Sequence, residues 1–133
     1  IDYGDAHTGI AISDPTGLLA GFTTVINSRR QEVVVEQVTL LAKEHGAEEL
    51  VLGHPVNMDG TLGPRSEKAK AMKALLEEAT ALPVVLWDER RTTIDAHNIL
   101  FNSGKNAKQR KKVVDAVAAS LILEGYLTFK KSH

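Results

Sequence analysis

Residues 1–26, IDYGDAHTGIAISDPTGLLAGFTTVI, decide the fold. Ile1-Asp2-Tyr3-Gly4 reads as the end of a strand. Ile10, Ala11 and Ile12 then form a short apolar run bounded by Gly9 and Asp14-Pro15, a strand that stops at a turn. Leu18 to Ile26 is β-rich, with Phe22, Thr23, Thr24 and Val25 in sequence. Three strands joined by such short connections predict an antiparallel meander. Because the chain opens inside the first of them, on Ile rather than Met, the N-terminus is expected to lie a few residues upstream.

From about Arg30 the apolar period changes. Val34, Val38, Leu41 and Ala42 are spaced for one face of a helix, which the His45-Gly46 stop signal ends. Leu50 to Leu52 reads as a short buried strand, and residues 53–64 as a polar loop closed by Pro64 at a first helical position. Ala69, Met72, Leu75 and Leu76 mark a second helix, and Val84 to Trp87 a strand running into Asp88-Glu89-Arg90. Helical spacing returns at Ile94, His97 and Phe101. A basic segment from Lys105 to Lys112 intervenes, and Val114 to Leu127 closes the chain as an amphipathic helix. The order βββαβαβα, with an extra helix near the end, predicts an α/β fold: a mixed five-stranded sheet of three antiparallel strands, then alternating helix and strand, flanked by helices. At 133 residues and 43% hydrophobic content, residues 1–133 are expected to form a single domain.

The chain has no cysteine, so any metal must take oxygen or imidazole ligands, which favours Mg2+ or Mn2+. No apolar run approaches the roughly 20 residues that cross a bilayer, and no signal-peptide pattern opens the chain, so a cytoplasmic location without membrane contact is expected. Net charge is −1, with 16 basic against 17 acidic side chains. Its distribution says more. Lys105, Lys108, Arg110, Lys111 and Lys112 fall in one short span without an acid between them, a local positive field that a polyanion would relieve.

In mixed sheets, functional side chains gather at the carboxyl ends of strands. Asp2 stands at the end of the first strand, Asp88 and Glu89 at the end of the last, and Asp115 at the start of the final helix, so distant parts of the chain can bring carboxylates together. Such a cluster suits divalent ions that activate a water and neutralise a leaving oxygen in phosphodiester hydrolysis. Taken singly, each acid also fits a turn, a cap or a solvated surface. Gly4 and Gly9 allow close approach beside Asp2, and equally serve a hairpin. The loop Asn57-Met58-Asp59-Gly60-Thr61 is long enough for binding, and Arg65 and Ser66 at the next helix start are candidate phosphate contacts. Thr92 serves as a cap or as a phosphate contact. His54 and His97 fit no zinc spacing and receive no role.

The ordered motifs resemble the YqgF family, also called RuvX, related to the Holliday junction resolvase RuvC. The resemblance is carried by Asp2-Tyr3-Gly4 with Gly9-Ile10-Ala11-Ile12-Ser13-Asp14, by Val51 to Pro64, by Asp88-Glu89-Arg90-Arg91-Thr92-Thr93 with Ala96, and by Lys108-Gln109-Arg110-Lys111 with Val114-Asp115-Ala116-Val117-Ala118-Ala119. It implies a ribonuclease H-like fold and a metal-dependent nuclease that trims the 5′ end of precursor 16S rRNA. Asp2, Glu89 and Asp115 would be catalytic metal ligands, with Asp88 a neighbouring candidate. Asn57, Arg65, Arg90, Thr92, Lys105, Lys108, Arg110, Lys111 and Lys112 would face nucleic acid. His54, Arg91 and Ala6-His7-Thr8 depart from the family pattern on the substrate side. The middle strand also ends in Gly53-His54-Pro55, without the acid that related nucleases place there.

Two other enzyme-level readings share these features. Resolution of branched DNA would call for a homodimer that cuts two strands symmetrically. A nucleotide-binding domain of the actin and sugar-kinase type has a similar first hairpin but needs two lobes. A non-catalytic ribosome-assembly factor that holds structured RNA through its basic segment is the third class.

Overall fold

Strands β1 (His7–Ser13) and β2 (Ala20–Asn27) pair antiparallel, with His7 opposite Asn27 and Ile12 opposite Phe22, and a bulge between Ile12 and Ser13. The computed structural model describes residues 1–14, 20–55, 60–88 and 107–132, with the backbone alone for 107–115 and 131–132. Helix α1 (Gln31–His45) follows, then strand β3 (Leu50–His54), helix α2 (Pro64–Thr80), strand β4 (Val84–Asp88) and helix α3 (Ala107–Ser132). β3 and β4 pair in parallel, from Leu50 opposite Val84 to His54 opposite Asp88.

Local chemistry sets these bounds. Gly46 ends α1 in the left-handed region at φ 66°, and the Ala47 amide donates back to the Ala42 carbonyl at 2.8 Å. Pro64 takes the first position of α2, where its missing N–H costs nothing.

Residues 1 and 2 link the two strand pairs. Asp2 and Gly9 exchange both backbone hydrogen bonds, at 2.9 and 3.0 Å, as in an antiparallel pair. On the other side, the Ile1 backbone nitrogen donates to the Val51 carbonyl at 2.7 Å and the Gly53 amide donates to the Ile1 carbonyl at 2.9 Å. One residue bonded to two partners that are two apart is the parallel pattern, with Ile1 alongside Leu52.

Side-chain alternation puts a core on each face. Leu50, Leu52 and Val84 bury with Ile1, Ile10 and Ile26 against Val34, Val38 and Ala42 of α1 and Ala69, Met72 and Leu76 of α2. The intervening residues Val51 and Trp87 turn the other way, onto Ile122 and Tyr126 of α3. Leu52, Met72 and Leu76 are fully buried, and each is worth about 1.5–3 kcal/mol of transfer free energy.

Two expectations about the C-terminal part change. The helix expected from Val114 begins at Ala107, because Ala-Lys-Gln-Arg-Lys-Lys contains only good helix formers and no breaker. Lys108, Arg110, Lys111 and Lys112 are therefore in its first two turns rather than in a segment before it. Asp115, expected to open the helix, is its ninth residue, too deep for the N-terminal dipole to explain it. The helix expected around Ile94, His97 and Phe101 lies outside the described residues, as does Lys105. Among the described residues no helix is long and apolar enough to cross a membrane.

Candidate active site

Asp2 owes its position to Ile1. Burying the Ile1 side chain with α1 and α2 turns the next residue to the opposite face, so Asp2 shares the α3 side with Val51 and Trp87 and is half-buried there. Its cross-strand neighbours are Gly9 on one side and, by the Ile1 register, Gly53 on the other. Neither has a side chain. The carboxylate is left with lateral room on both flanks, at the sheet end formed by the start of β1 and the carboxyl ends of β3 and β4. Gly4 is a turn requirement instead: a Cβ there would collide with the His7 carbonyl oxygen.

Asp88 lies on the other face. It pairs in register with His54, and His54 Nε2 is 2.6 Å from Ser66 Oγ at the start of α2. His54 continues the inward row of Leu50 and Leu52, and Asp88 the row of Val84 and Leu86. The two aspartates at this sheet end thus diverge. Ser66, a candidate phosphate contact from the sequence, is fully buried and held by His54, so it fastens α2 to β3 rather than meeting a ligand.

Arg65 is exposed in the first turn of α2. Glu89, Asn57, Arg90, Thr92 and Lys105 lie outside the described residues, and Asp115, Lys108, Arg110, Lys111 and Lys112 are described by their backbone positions in α3. Among the described residues no three His, Asp or Glu side chains gather as a ready metal cluster. What Asp2 offers is a hard oxygen donor with open flanks, which suits Mg2+ or Mn2+ and not a soft ion.

Sequence reasoning missed a charged group next to this end. Asp5, in the turn after Asp2, accepts from Lys68 Nζ of α2 at 3.2 Å. Lys68 holds the Asp5 carboxyl below its ordinary range by hydrogen bond and charge, with smaller contributions from Arg65 and Arg29. Beside it, His7 Nδ1 and Asn27 Oδ1 are 2.7 Å apart across the hairpin. No linear motif joins positions 5, 29, 65 and 68, so only the folded chain brings them together.

Residues 1–129 match the RuvX family model, described as Holliday junction resolvase. The chain belongs to the RuvX family. Among its relatives is a protein of Halothermothrix orenii, 42% identical over 130 residues, covering 98% of this chain and 93% of the relative. One from Clostridium botulinum (strain Alaska E43) is 42% identical over 127 residues, 96% of this chain and 93% of its own. A third, from Carboxydothermus hydrogenoformans, is 39% identical over 133 residues, 100% of this chain and 96% of its own. All three carry the name "Putative pre-16S rRNA nuclease". RuvX relatives of near-equal length thus match this chain over nearly its whole length.

Proposed function

We propose that this protein is a metal-dependent nuclease that cleaves phosphodiester bonds in precursor 16S rRNA, at its 5′ end, with Asp2 anchoring the catalytic carboxylates. The names of the RuvX relatives, over nearly the whole chain, support the substrate. The placement of Asp2 supports the chemistry, and it is the observation on which the reading rests.

The sheet is read as ribonuclease H-like, with strand order β2, β1, the strand ending at Asp2, β3, β4. The bonds from residues 1 and 2 to both strand pairs support this order, which makes the Asp2 strand central. On this reading residues 1–133 form one domain.

Asp115 is read as the second ligand. In α3, Ala119, Ile122 and Tyr126 are the buried stripe on the sheet, and position 115 continues it one turn earlier. Tyr126 Oη donates to Glu49 Oε1 just before β3, and Ile122 packs on Val51, so α3 runs antiparallel to β3. Eleven residues of helix back from Tyr126 span about 16 Å. Four residues of strand on from Glu49 reach Gly53, level with Asp2, after about 13 Å. These lengths support reading position 115 as level with Asp2, at the same sheet end. Asp88, turned toward α2, drops behind Glu89 as the third ligand, Glu89 being assigned from the Asp-Glu-Arg motif alone.

When bound, Mg2+ or Mn2+ would supply an activated water and neutralise the leaving oxygen. Asp2 and Asp115 would hold it, and the bare backbone at Gly9 and Gly53 would let a phosphate come close. The cations of α3 would contact the nucleic-acid backbone. Resolution of branched DNA by a homodimer is the second reading, favoured by the description of the matching family. A cytoplasmic location fits either.

The test compares a precursor 16S rRNA fragment with four-way junction DNA at matched salt, with Mg2+ or Mn2+ and then with chelator. Metal-dependent cleavage of the RNA near its mature 5′ end supports the reading. Cleavage of the junction alone favours the second. Salt-sensitive binding without turnover of either would make the protein an RNA-holding assembly factor.

A further inference from the structure

We infer that Arg29, Arg65 and Lys68 form a second phosphate-binding surface, on the α1 and α2 side of the Asp2 end, that holds the nucleic-acid strand next to the scissile bond. The inference rests on the nuclease reading and adds the path of the substrate to it.

Three chain segments build the surface. Arg29 follows β2, whose last residue Asn27 is tied to His7, and Arg65 and Lys68 are one turn apart on α2. The Lys68–Asp5 pair fixes α2 against the turn that follows Asp2. The His54–Ser66 bond holds the same helix end to β3. All three cations are exposed. Lys68 Nζ is 3.2 Å from Asp5, Arg65 is one turn earlier on the same helix, and the charge of both arginines acts on the same carboxyl.

Their partners set them apart from ordinary surface cations. Arg30 pairs with Glu32, Lys70 with Glu67 and Lys73 with Glu77, so the cations that follow them in the chain each have an acid of their own. Arg29 and Arg65 have no acid within ion-pair distance among the described residues, and Lys68 has the exposed Asp5. Asp5 is thus the one acid within ion-pair distance of any of the three among the described residues.

The surface is close to the site and separate from the α3 cations. Asp5 is three residues from Asp2, at most about 11 Å along the chain, or about three steps of a duplex strand. The α3 cations belong to a helix on the opposite face of the sheet. A strand crossing the sheet end at Asp2 on the α1 and α2 side meets Arg29, Arg65 and Lys68, and a phosphate would displace the Asp5 carboxylate from Lys68.

Binding of labelled single-stranded RNA and of junction DNA is measured by fluorescence anisotropy over a series of salt concentrations, with chelator present to prevent cleavage. The triple variant Arg29→Gln, Arg65→Gln, Lys68→Gln should lower the slope of log affinity against log salt by about 2 for the single strand and nearly 3 for the duplex arms. Each single variant should lower it by about 1. Asp5→Asn should tighten binding, by about fivefold at most. The substitutions are at exposed positions, and unchanged urea midpoints would verify the fold. A triple variant with the wild-type slope, or a weaker-binding Asp5→Asn, overturns this inference and leaves the nuclease reading standing. Absence of salt-dependent binding by the wild type overturns both.

Discussion

Replacing Ile122 by Ala tests how α3 is held over the sheet. Ile122 is 1% exposed and packs against Val51, Trp87 and Tyr126, with Val85 at the edge. The change removes three carbons, about 2.4 kcal/mol at ~0.8 kcal/mol each. Val51 is fixed in β3, and the Trp87 and Tyr126 rings meet edge to face at 6.0 Å, so the site has little freedom to collapse and a cavity term adds. The total comes to about 3–4 kcal/mol, or roughly 10 °C in Tm for a chain of this size. Trp87 is the sole tryptophan and sits in the same cluster, so its fluorescence in a urea titration reports the transition directly. Leu40→Ala is the control. That side chain is 53% exposed, and its loss should cost under about 0.5 kcal/mol. A loss below about 1 kcal/mol for Ile122→Ala, with an unchanged urea slope, would mean that α3 is not seated on Val51 and Trp87. The levelling of positions 115 and 2 would then have no basis.

Gly46→Ala should destabilise by about 1 kcal/mol in the same titration. A Cβ there meets nothing within 4 Å, so the cost is the left-handed backbone alone. Tyr126 has its pKa raised by burial first and then by its hydrogen bond to Glu49. A raised folded-state pKa stabilises fully below the unfolded value near 10 and is lost as pH climbs through the folded value. Wild-type Tm should therefore fall above pH 10 by more than that of Tyr126→Phe, in melts from pH 8 to 11. Asp88→Asn, on the α2 face with His54, should retain more cleavage activity than Asp2→Asn when initial rates are compared.

The sequence made much of this fold legible because period and punctuation agreed. His45-Gly46 stopped α1, Pro64 started α2, and the run from Val84 ended at Asp88, all as local chemistry dictates. What it could not tell was orientation. Asp2 and Asp88 look alike as strand-end acids, and only the register that pairs Asp88 with His54 and sets Ile1 beside Leu52 sends them to opposite faces. The start of α3 was misread because a cationic run resembles a solvated loop, while Ala, Lys, Arg and Gln are all strong helix formers. The group around Asp5 was invisible for a different reason, since Asp5 and Lys68 are 63 residues apart and meet only where α2 packs.

On the proposed reading Asp2 is where fold and chemistry join, and one comparison bears on it most directly. Wild type and Asp2→Asn are assayed on a labelled precursor 16S rRNA 5′ fragment with Mg2+ or Mn2+. Loss of a ligand's supporting contacts alone costs roughly 10–100-fold, so loss of the ligand itself should exceed about 100-fold, with the urea midpoint unchanged. An equal cleavage rate in Asp2→Asn would contradict the account.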